Sequence, residues 1–144
     1  MSVLSAAQAV ECARAARTVA VLGIKPERFE SQPSFFVPQF VQKAGKKLIP
    51  VPVLPGFDSV LGEPVQRDLT MIREQVDILD VFRPGKALPS HIQQVLAMEP
   101  RPRTVWLQIG IRNTEFEEAI LAHGIDLVIE RCLKIDLQDA NSKL

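Results

Sequence analysis

The sequence predicts an α/β protein with an open, mostly parallel five-stranded sheet and helices on both faces. Three observations predict this class. Short β-branched apolar runs alternate with segments of helical periodicity. The connections are long enough for right-handed crossovers between parallel strands. The 144 residues are 47% hydrophobic and 24% charged, which is typical of one globular domain. We therefore predict a single domain over 1–144, with a leading helix at 1–16, a core at 18–135 and a C-terminal tail at 136–144.

Five apolar segments are predicted to be the strands of this sheet. In chain order they are Thr18–Ile24, Lys47–Val53, Ile78–Phe82, Thr104–Ile109 and Leu127–Ile129. A further short extended piece is predicted at Val60–Val65. The predicted strand order is 3-2-1-4-5, in which the order reverses between the first and fourth strands.

Four segments have helical patterns, at residues 2–16, 33–44, 89–98 and 113–123. The helix at 113–123 has Asn113 or Thr114 as its N-cap and ends at Gly124. The helix at 33–44 ends at Gly45 but contains Pro38. A proline in a helix interior costs about 3 kcal/mol, so we expect an irregular first turn or a later start.

Charge restricts the classes of partner. Lys and Arg total 17 and Asp and Glu total 17, which argues against broad binding to nucleic acid or to an anionic membrane. From Arg14 to Lys47, however, seven basic residues face only Glu27 and Glu30. This basic front third suits a small polyanionic ligand.

Common cofactor and metal motifs are absent from the sequence. The seven glycines form no G-x-G pair, so neither the dinucleotide fingerprint nor the P-loop is present. The two cysteines and two histidines lack the spacing of a metal site, so no metal is expected. No apolar run approaches the about 18 residues of a membrane span, and no secretory leader is seen. We expect a cytoplasmic protein with reduced thiols.

Ligands of such sheets bind beyond the carboxyl ends of the strands, where the strand order reverses. The segments to consider are therefore 23–34, 52–57, 82–85 and 108–113. Lys25 and Arg28 precede a helix start, where free N–H groups and the helix dipole attract anions. Phe82 and Arg83 could stack on an aromatic base, or could be packing with a solvated arginine.

Three other residues have two interpretations each, and a fourth, His91, has one. Asp80 lies in a buried strand, where it could pair with Arg83 or Arg131 or act on a ligand. Gln108 points an amide toward the crevice or pins a loop. Cys132 is a small buried cysteine or a thiol nucleophile, and His91 is expected on the surface.

Three ordered motifs resemble a known family. They are D-V-F-R at Asp80–Arg83, W-L-Q-x-G at Trp106–Gly110 and R-C at Arg131–Cys132. Together with TVAVLGI at Thr18–Ile24, they resemble the stand-alone bacterial CoA-binding domain family over about residues 18–135. That family is similar to the Rossmann-like CoA-binding domain of the succinyl-CoA synthetase α subunit.

The resemblance implies a Rossmann-like fold that binds coenzyme A or an acyl-CoA. Because 144 residues are about the size of one cofactor-binding domain with a leading helix, we expect a binding module without catalysis of its own. It implies phosphate contacts from Gly23, Ile24, Lys25, Arg28 and Ser34, and a CoA contact from Lys47 at the start of the second strand. The residues implied beside the rest of the cofactor are Val81, Phe82, Arg83, Leu107, Gln108 and Ile109.

Alternative functions stay open at this point. One is an enzyme acting on a CoA derivative, with Asp80, Cys132 or Gln108 recruited. Others are a nucleotide-sensing regulator and an interaction domain with a vestigial cleft, the latter suggested by Phe36 in place of a family glycine. The expected partner is a small-molecule CoA ligand, not nucleic acid or a membrane, with a protein partner or a homo-oligomer left open.

Overall fold

The computed structural model describes residues 2–142, which form an α/β fold around a five-stranded parallel sheet. The helices are α1 (Ala6–Ala15), α2 (Pro33–Lys43), α3 (Ile92–Ala97), α4 (Thr114–Ala122) and α5 (Leu133–Ser142). The strands are β1 (Thr18–Leu22), β2 (Lys47–Val51), β3 (Ser59–Val60), β4 (Glu63–Pro64), β5 (Ile78–Val81), β6 (Thr104–Leu107) and β7 (Asp126–Val128). Short 3₁₀ turns lie at Glu27–Phe29, Leu69–Met71 and Gly85–His91. The predicted fold class, with its leading helix, is confirmed.

The predicted strand order was wrong. The observed order is β2-β1-β5-β6-β7, so β5 lies directly beside β1 and β2 is an edge strand. Pro50 in β2 explains the edge position, because a proline has no N–H to donate to a neighbouring strand. The Pro50 carbonyl faces the outer edge and accepts from the Gln66 N–H at 2.8 Å. In the predicted order this strand would have been interior.

The start of β5 is fixed against β1 by the side chain of Asp77. Its Oδ2 accepts hydrogen bonds from the backbone N–H of Arg17 at 2.8 Å and of Thr18 at 3.0 Å. In the observed sheet the strand order reverses between β1 and β5. The ligand crevice expected at such a point lies at the carboxyl ends of these two strands.

Both faces of the sheet are covered, which explains the continuous apolar strand sequences. On one face, side chains such as Val21 and Trp106 pack against α1, α2 and α5. On the other face, side chains such as Leu79 and Leu107 pack against α3 and α4. Within residues 2–142, no helix has the length and apolar character needed to cross a lipid bilayer.

Helix α2 is regular from its first residue despite its internal proline. Pro33 occupies the first turn, where a missing N–H is tolerated. Pro38 cannot donate to the Ser34 carbonyl four residues earlier, and that carbonyl instead accepts from the Lys25 N–H at 3.2 Å. The irregular or later start predicted for this helix is therefore corrected. The Ser34 carbonyl that Pro38 leaves free connects the helix to the loop after β1 through the Lys25 N–H.

Two further helix predictions are corrected. Residues 136–142, predicted as a tail, belong to α5, which packs against α1 and α2 with Leu133 and Leu137 buried. The remaining two tail residues lie outside the described residues. The helix predicted at 89–98 begins only at Ile92, since Gly85–His91 forms a 3₁₀ turn that contains Pro89.

Candidate functional site: the strand-end crevice

The backbones of Gly23 and Phe82 meet where β1 and β5 end. Gly23 has a φ of +87°, and a Cβ on this residue would lie 2.3 Å from the Phe82 carbonyl oxygen. The Phe82 N–H donates to the Leu22 carbonyl at 2.8 Å, and the Gly23 N–H donates to the Val51 carbonyl at 2.8 Å. Only glycine can adopt this conformation without strain and allow this approach.

A crevice with two lobes surrounds this contact, and we call it the strand-end crevice. The larger lobe has a volume of about 400 Å³ and is lined by Lys25, Pro33, Ser34, Phe82, Arg83, Pro84, Gln108, Ile109, Ile111 and Cys132. The smaller lobe has a volume of about 210 Å³ and is lined by Gly23, Ile24, Lys25, Val53, Leu54, Phe82, Arg83 and Pro84. Four residues line both lobes, so the crevice follows both sides of the segment 82–84.

Positive charge is concentrated where the two lobes meet. Lys25 and Arg83 line both lobes. The Lys25 ammonium donates to Gln32 Oε1 at 2.7 Å and lies 5.3 Å from the centre of the Phe29 ring. Arg28 stacks on the same ring at 4.8 Å, beside the lining rather than in it. An anion in the crevice would therefore meet two cations directly and a third nearby.

The first turn of α2 adds a positive dipole end to this region. It has no side-chain cap and no acidic residue, whereas α4 is capped by Asn113, which accepts from the Phe116 N–H at 2.9 Å. Pro33 has no N–H, and the N–H groups of Phe35 and Phe36 donate to the Gln32 carbonyl at 2.9 and 3.0 Å, so within residues 2–142 the Ser34 N–H is the one in this turn without an acceptor. A free N–H at a helix start binds anions. Pro33 and Ser34, in this turn, both line the larger lobe.

Arg83 is held by His91, which was expected on the surface and is half-buried in the structure. Arg83 Nε donates to His91 Nε2 at 3.2 Å, and His91 is half-buried, with a Nδ1 atom that has no partner within residues 2–142. Burial and the Arg83 charge lower the pKa of His91, so the neutral ring is favoured. A neutral ring can accept at Nε2, which fixes Arg83 along the crevice.

Asp80 and Gln108 form a buried pair behind the larger lobe. Gln108 Nε2 donates to Asp80 Oδ1 at 2.7 Å, and Asp80 is fully buried. Burial raises the pKa of Asp80 to about 7, opposed by hydrogen bonds from Gln108 and the Val81 N–H. The expected pairing with an arginine is corrected: Arg83 binds His91, and Arg131 binds Asp136 at 2.7 Å.

Most predicted site residues are brought together at the crevice. Those that line it are Gly23, Ile24, Lys25, Ser34, Phe82, Arg83, Gln108 and Ile109. The side chains of Val81 and Leu107 instead lie in the core between the sheet and α3 and α4, so only their backbone is near the strand ends.

Lys47 is not brought to the crevice. It begins β2, at the opposite edge of the sheet from the carboxyl ends of the strands. Its Nζ donates to both carboxylate oxygens of Glu74, at 2.7 and 2.8 Å. The first residue of a parallel strand lies at the end of the sheet opposite to the carboxyl ends of the strands. Lys47, which the family resemblance implied as a CoA contact, therefore lies away from the crevice.

Several lining residues were not predicted from the sequence as ligand contacts. Pro33, Val53, Leu54, Pro84 and Ile111 fall inside the strand-end segments considered above but carry no chemical signal of their own. Cys132 follows β7, and applying the strand-end rule to the fifth strand would have found it. Phe36 does not line either lobe; its ring lies 5.1 Å from the Lys134 ammonium on α5.

An open parallel sheet with a ligand-sized crevice at its strand ends defines a binding domain of the Rossmann-like class. The chain belongs to the CoA binding domain family, whose sequence profile matches residues 17–138.

Individual relatives agree in length, and the solved structures among them share the fold. The chain is 29% identical over 133 residues to the "Uncharacterized protein YneT" of Bacillus subtilis, covering 91% of this chain and 93% of that one. A solved Thermus thermophilus structure, cell-free ID.343, is 37% identical with a TM-score of 0.85, covering 95% of this chain and 99% of that one. A hypothetical protein from Pyrococcus horikoshii shares the fold at 20% identity, with a TM-score of 0.82 and coverage of 96% and 93%.

Proposed function

We propose that the protein binds coenzyme A or an acyl-CoA in the strand-end crevice, as a cofactor-binding module without catalysis of its own. One observation carries the proposal. The lining of both lobes includes two cations, Lys25 and Arg83, and, within residues 2–142, no carboxylate. A polyanion with a long uncharged arm matches that lining, and family membership supports CoA as the polyanion.

The distribution of residues suggests how the ligand would lie. The phosphates would meet Lys25, the first turn of α2 and the nearby Arg28, since these supply charge and the free N–H of Ser34. The uncharged pantetheine arm, with any acyl group, would follow the apolar wall of Ile109 and Ile111 toward Cys132. Phe82 and Arg83 would flank the ligand between these ends.

The absence of catalysis is proposed from the same lining. Acyl transfer or hydrolysis needs a nucleophile or water activated by a nearby base. Two lining side chains could act as nucleophiles, the Ser34 hydroxyl and the Cys132 thiol. Within residues 2–142, neither lobe is lined by a histidine, aspartate or glutamate that could activate them. The pure protein should therefore leave acetyl-CoA intact, which a thiol-release assay would check.

The test is calorimetric titration with CoA, supported by native mass spectrometry of the purified protein. CoA should bind to the wild type, and Lys25→Ala with Arg28→Ala should weaken it at least tenfold, because each lost phosphate contact removes a charge-assisted hydrogen bond. Lys43→Ala is the matched control, since Lys43 is exposed at the far end of α2. Lys47→Ala tests the carried-over contact, and we expect wild-type affinity.

Absence of binding by CoA, acetyl-CoA and a long-chain thioester would refute the proposal. So would equal losses in the Lys25/Arg28 and Lys43 variants, because the effect would then reflect net charge rather than the crevice. Weakened binding in Lys47→Ala alone would move the site to the other edge of the sheet.

A further inference from the structure

The amide of Gln108 has its two ends in different surroundings. Its Nε2 donates to the buried Asp80 Oδ1 at 2.7 Å. Its Oε1 accepts no hydrogen bond from the protein within residues 2–142. This oxygen is not fully buried, so it is accessible from the larger lobe, which Gln108 lines. The pair thus spans from the interior of the sheet to the crevice.

Asp80 fixes which end of this amide faces the ligand. An ionised carboxylate only accepts hydrogen bonds, so it holds the NH₂ group of Gln108 inward and turns the carbonyl oxygen outward. The other oxygen of Asp80, Oδ2, is buried and unpartnered within residues 2–142. Buried polar atoms almost always have a partner, so this orphan marks a pair organised for something other than stability.

We infer that Gln108, positioned by Asp80, is a specificity-determining residue that accepts a hydrogen bond from a donor on the uncharged arm of the ligand. The inference rests on the proposed function. In CoA the pantetheine arm carries secondary amides, whose N–H groups are such donors. The neighbours of Gln108 along the chain that line this lobe, Ile109 and Ile111, are apolar and offer its Oε1 no side-chain donor. A ligand arm without a hydrogen-bond donor would exclude water from this oxygen and leave it without a hydrogen bond.

The first test compares two ligands in one variant. Adenosine 3′,5′-bisphosphate has the nucleotide of CoA but not the pantetheine arm. Gln108→Met keeps the side-chain length and removes the acceptor, so it should weaken CoA about threefold to tenfold, the effect of one hydrogen bond. Binding of the bisphosphate should stay within twofold of wild type. Calorimetric titration measures both.

The second test addresses Asp80, which acts only through Gln108. A protonated Asp80 can donate to Oε1, which allows the amide to turn and present its NH₂ group to the ligand. The ratio of CoA affinity to bisphosphate affinity should therefore fall as the pH is lowered through about 7, where the pKa of Asp80 lies. The ligand phosphates also titrate, because the 5′-phosphate of the bisphosphate is a monoester with a second pKa of about 6, whereas CoA carries a diphosphate diester there. The ratio is therefore compared between wild type and Asp80→Asn, in which the ligands titrate alike, and it should depend less on pH in the variant.

The groups around Asp80 allow a pH dependence of the affinity ratio to be attributed to the Asp80 side chain. Its pKa is set by burial, by Gln108 and by the Val81 N–H, with no contribution from a charged side chain within residues 2–142; its strand neighbours are Val21 and Trp106. The other titrating group near the crevice is His91, which is retained in Asp80→Asn. A pH dependence of the ratio that is as large in this variant as in wild type would belong to the ligand phosphates or to His91 and would overturn the role of Asp80.

The outcomes separate the inference from the proposed function. If the wild type binds neither ligand, the proposed function fails and the inference with it. If the wild type binds CoA but Gln108→Met leaves its affinity unchanged, or weakens both ligands equally, the inference alone is overturned. A selective loss for CoA, together with a smaller pH dependence of the ratio in Asp80→Asn than in wild type, supports it.

Discussion

Gly23 and Phe82 touch through their backbones: a Cβ at position 23 would lie 2.3 Å from the Phe82 carbonyl oxygen and 2.9 Å from its carbonyl carbon. This contact brings the two loops of the crevice together where the strand order reverses between β1 and β5. Backbone atoms cannot yield as a flexible side chain can. The contact therefore makes position 23 a structural requirement of the crevice.

Gly23→Ala should destabilise the fold by about 3 kcal/mol, from the positive φ together with overpacking against Phe82. Gly45→Ala is the matched control, because Gly45 also has a positive φ, of +93°, but no atom within 4 Å of an added Cβ. That variant should lose only about 1 kcal/mol, the conformational part. Urea unfolding measures both. Equal losses would show that the contact with Phe82 contributes nothing.

The stability of the protein should depend on pH through Asp80. Its pKa rises from 3.8 to about 7 on folding, so the folded state binds a proton more tightly than the unfolded chain does. The resulting stability is fully present below pH 3.8 and is lost as the pH rises through about 7. The shift corresponds to about 4 kcal/mol at most.

Asp80→Asn removes this titration while keeping the size of the side chain. The variant should therefore gain stability relative to wild type as the pH is raised from 5 to 8, by up to a few kcal/mol. Urea midpoints at the two pH values, with unchanged m-values, are the measurement. A difference between wild type and variant that stays constant with pH would contradict a raised pKa for Asp80.

The fold class was predictable because strands that are buried on both faces have continuous apolar sequences. Apolar runs such as Thr18–Leu22 are unbroken, and helix ends carry signals such as Asn113. The strand order was not obtained, because both orders use the same strands and crossovers. Pro50 favours the observed order, because a strand that cannot donate a backbone hydrogen bond at this position is expected at the edge of the sheet. The helix α5 was missed because its residues 136–142 are mostly polar.

The candidate site was predictable as far as the strand-end rule reaches. The loops after β1, β5 and β6 supply Lys25, Arg83 and Gln108, and all three line the crevice. Pairings between side chains were not predictable, since they depend on orientation rather than on sequence spacing. Arg83 binds His91, eight residues away, and Asp80 binds Gln108, 28 residues away. Arg83 and Arg131 had been the expected partners of Asp80.

The two cysteines provide an internal comparison for ligand binding. Cys132 is half-buried and lines the larger lobe, whereas Cys12 packs between α1 and the sheet and its Sγ lies 3.6 Å from Thr104 Oγ1. Burial raises the pKa of Cys12, so little of its thiol is present as the reactive thiolate at neutral pH. Without ligand, Cys132 should therefore react faster with N-ethylmaleimide.

Saturating CoA should slow alkylation of Cys132 at least tenfold, because the pantetheine arm would cover the thiol, and should leave the rate at Cys12 unchanged. Peptide mass spectrometry after timed quenching reads both sites in one sample. Adenosine 3′,5′-bisphosphate, which lacks the arm, should protect Cys132 much less. Equal protection of both cysteines would indicate general stabilisation of the fold. Protection by the bisphosphate as strong as that by CoA would place the nucleotide, rather than the arm, in the larger lobe.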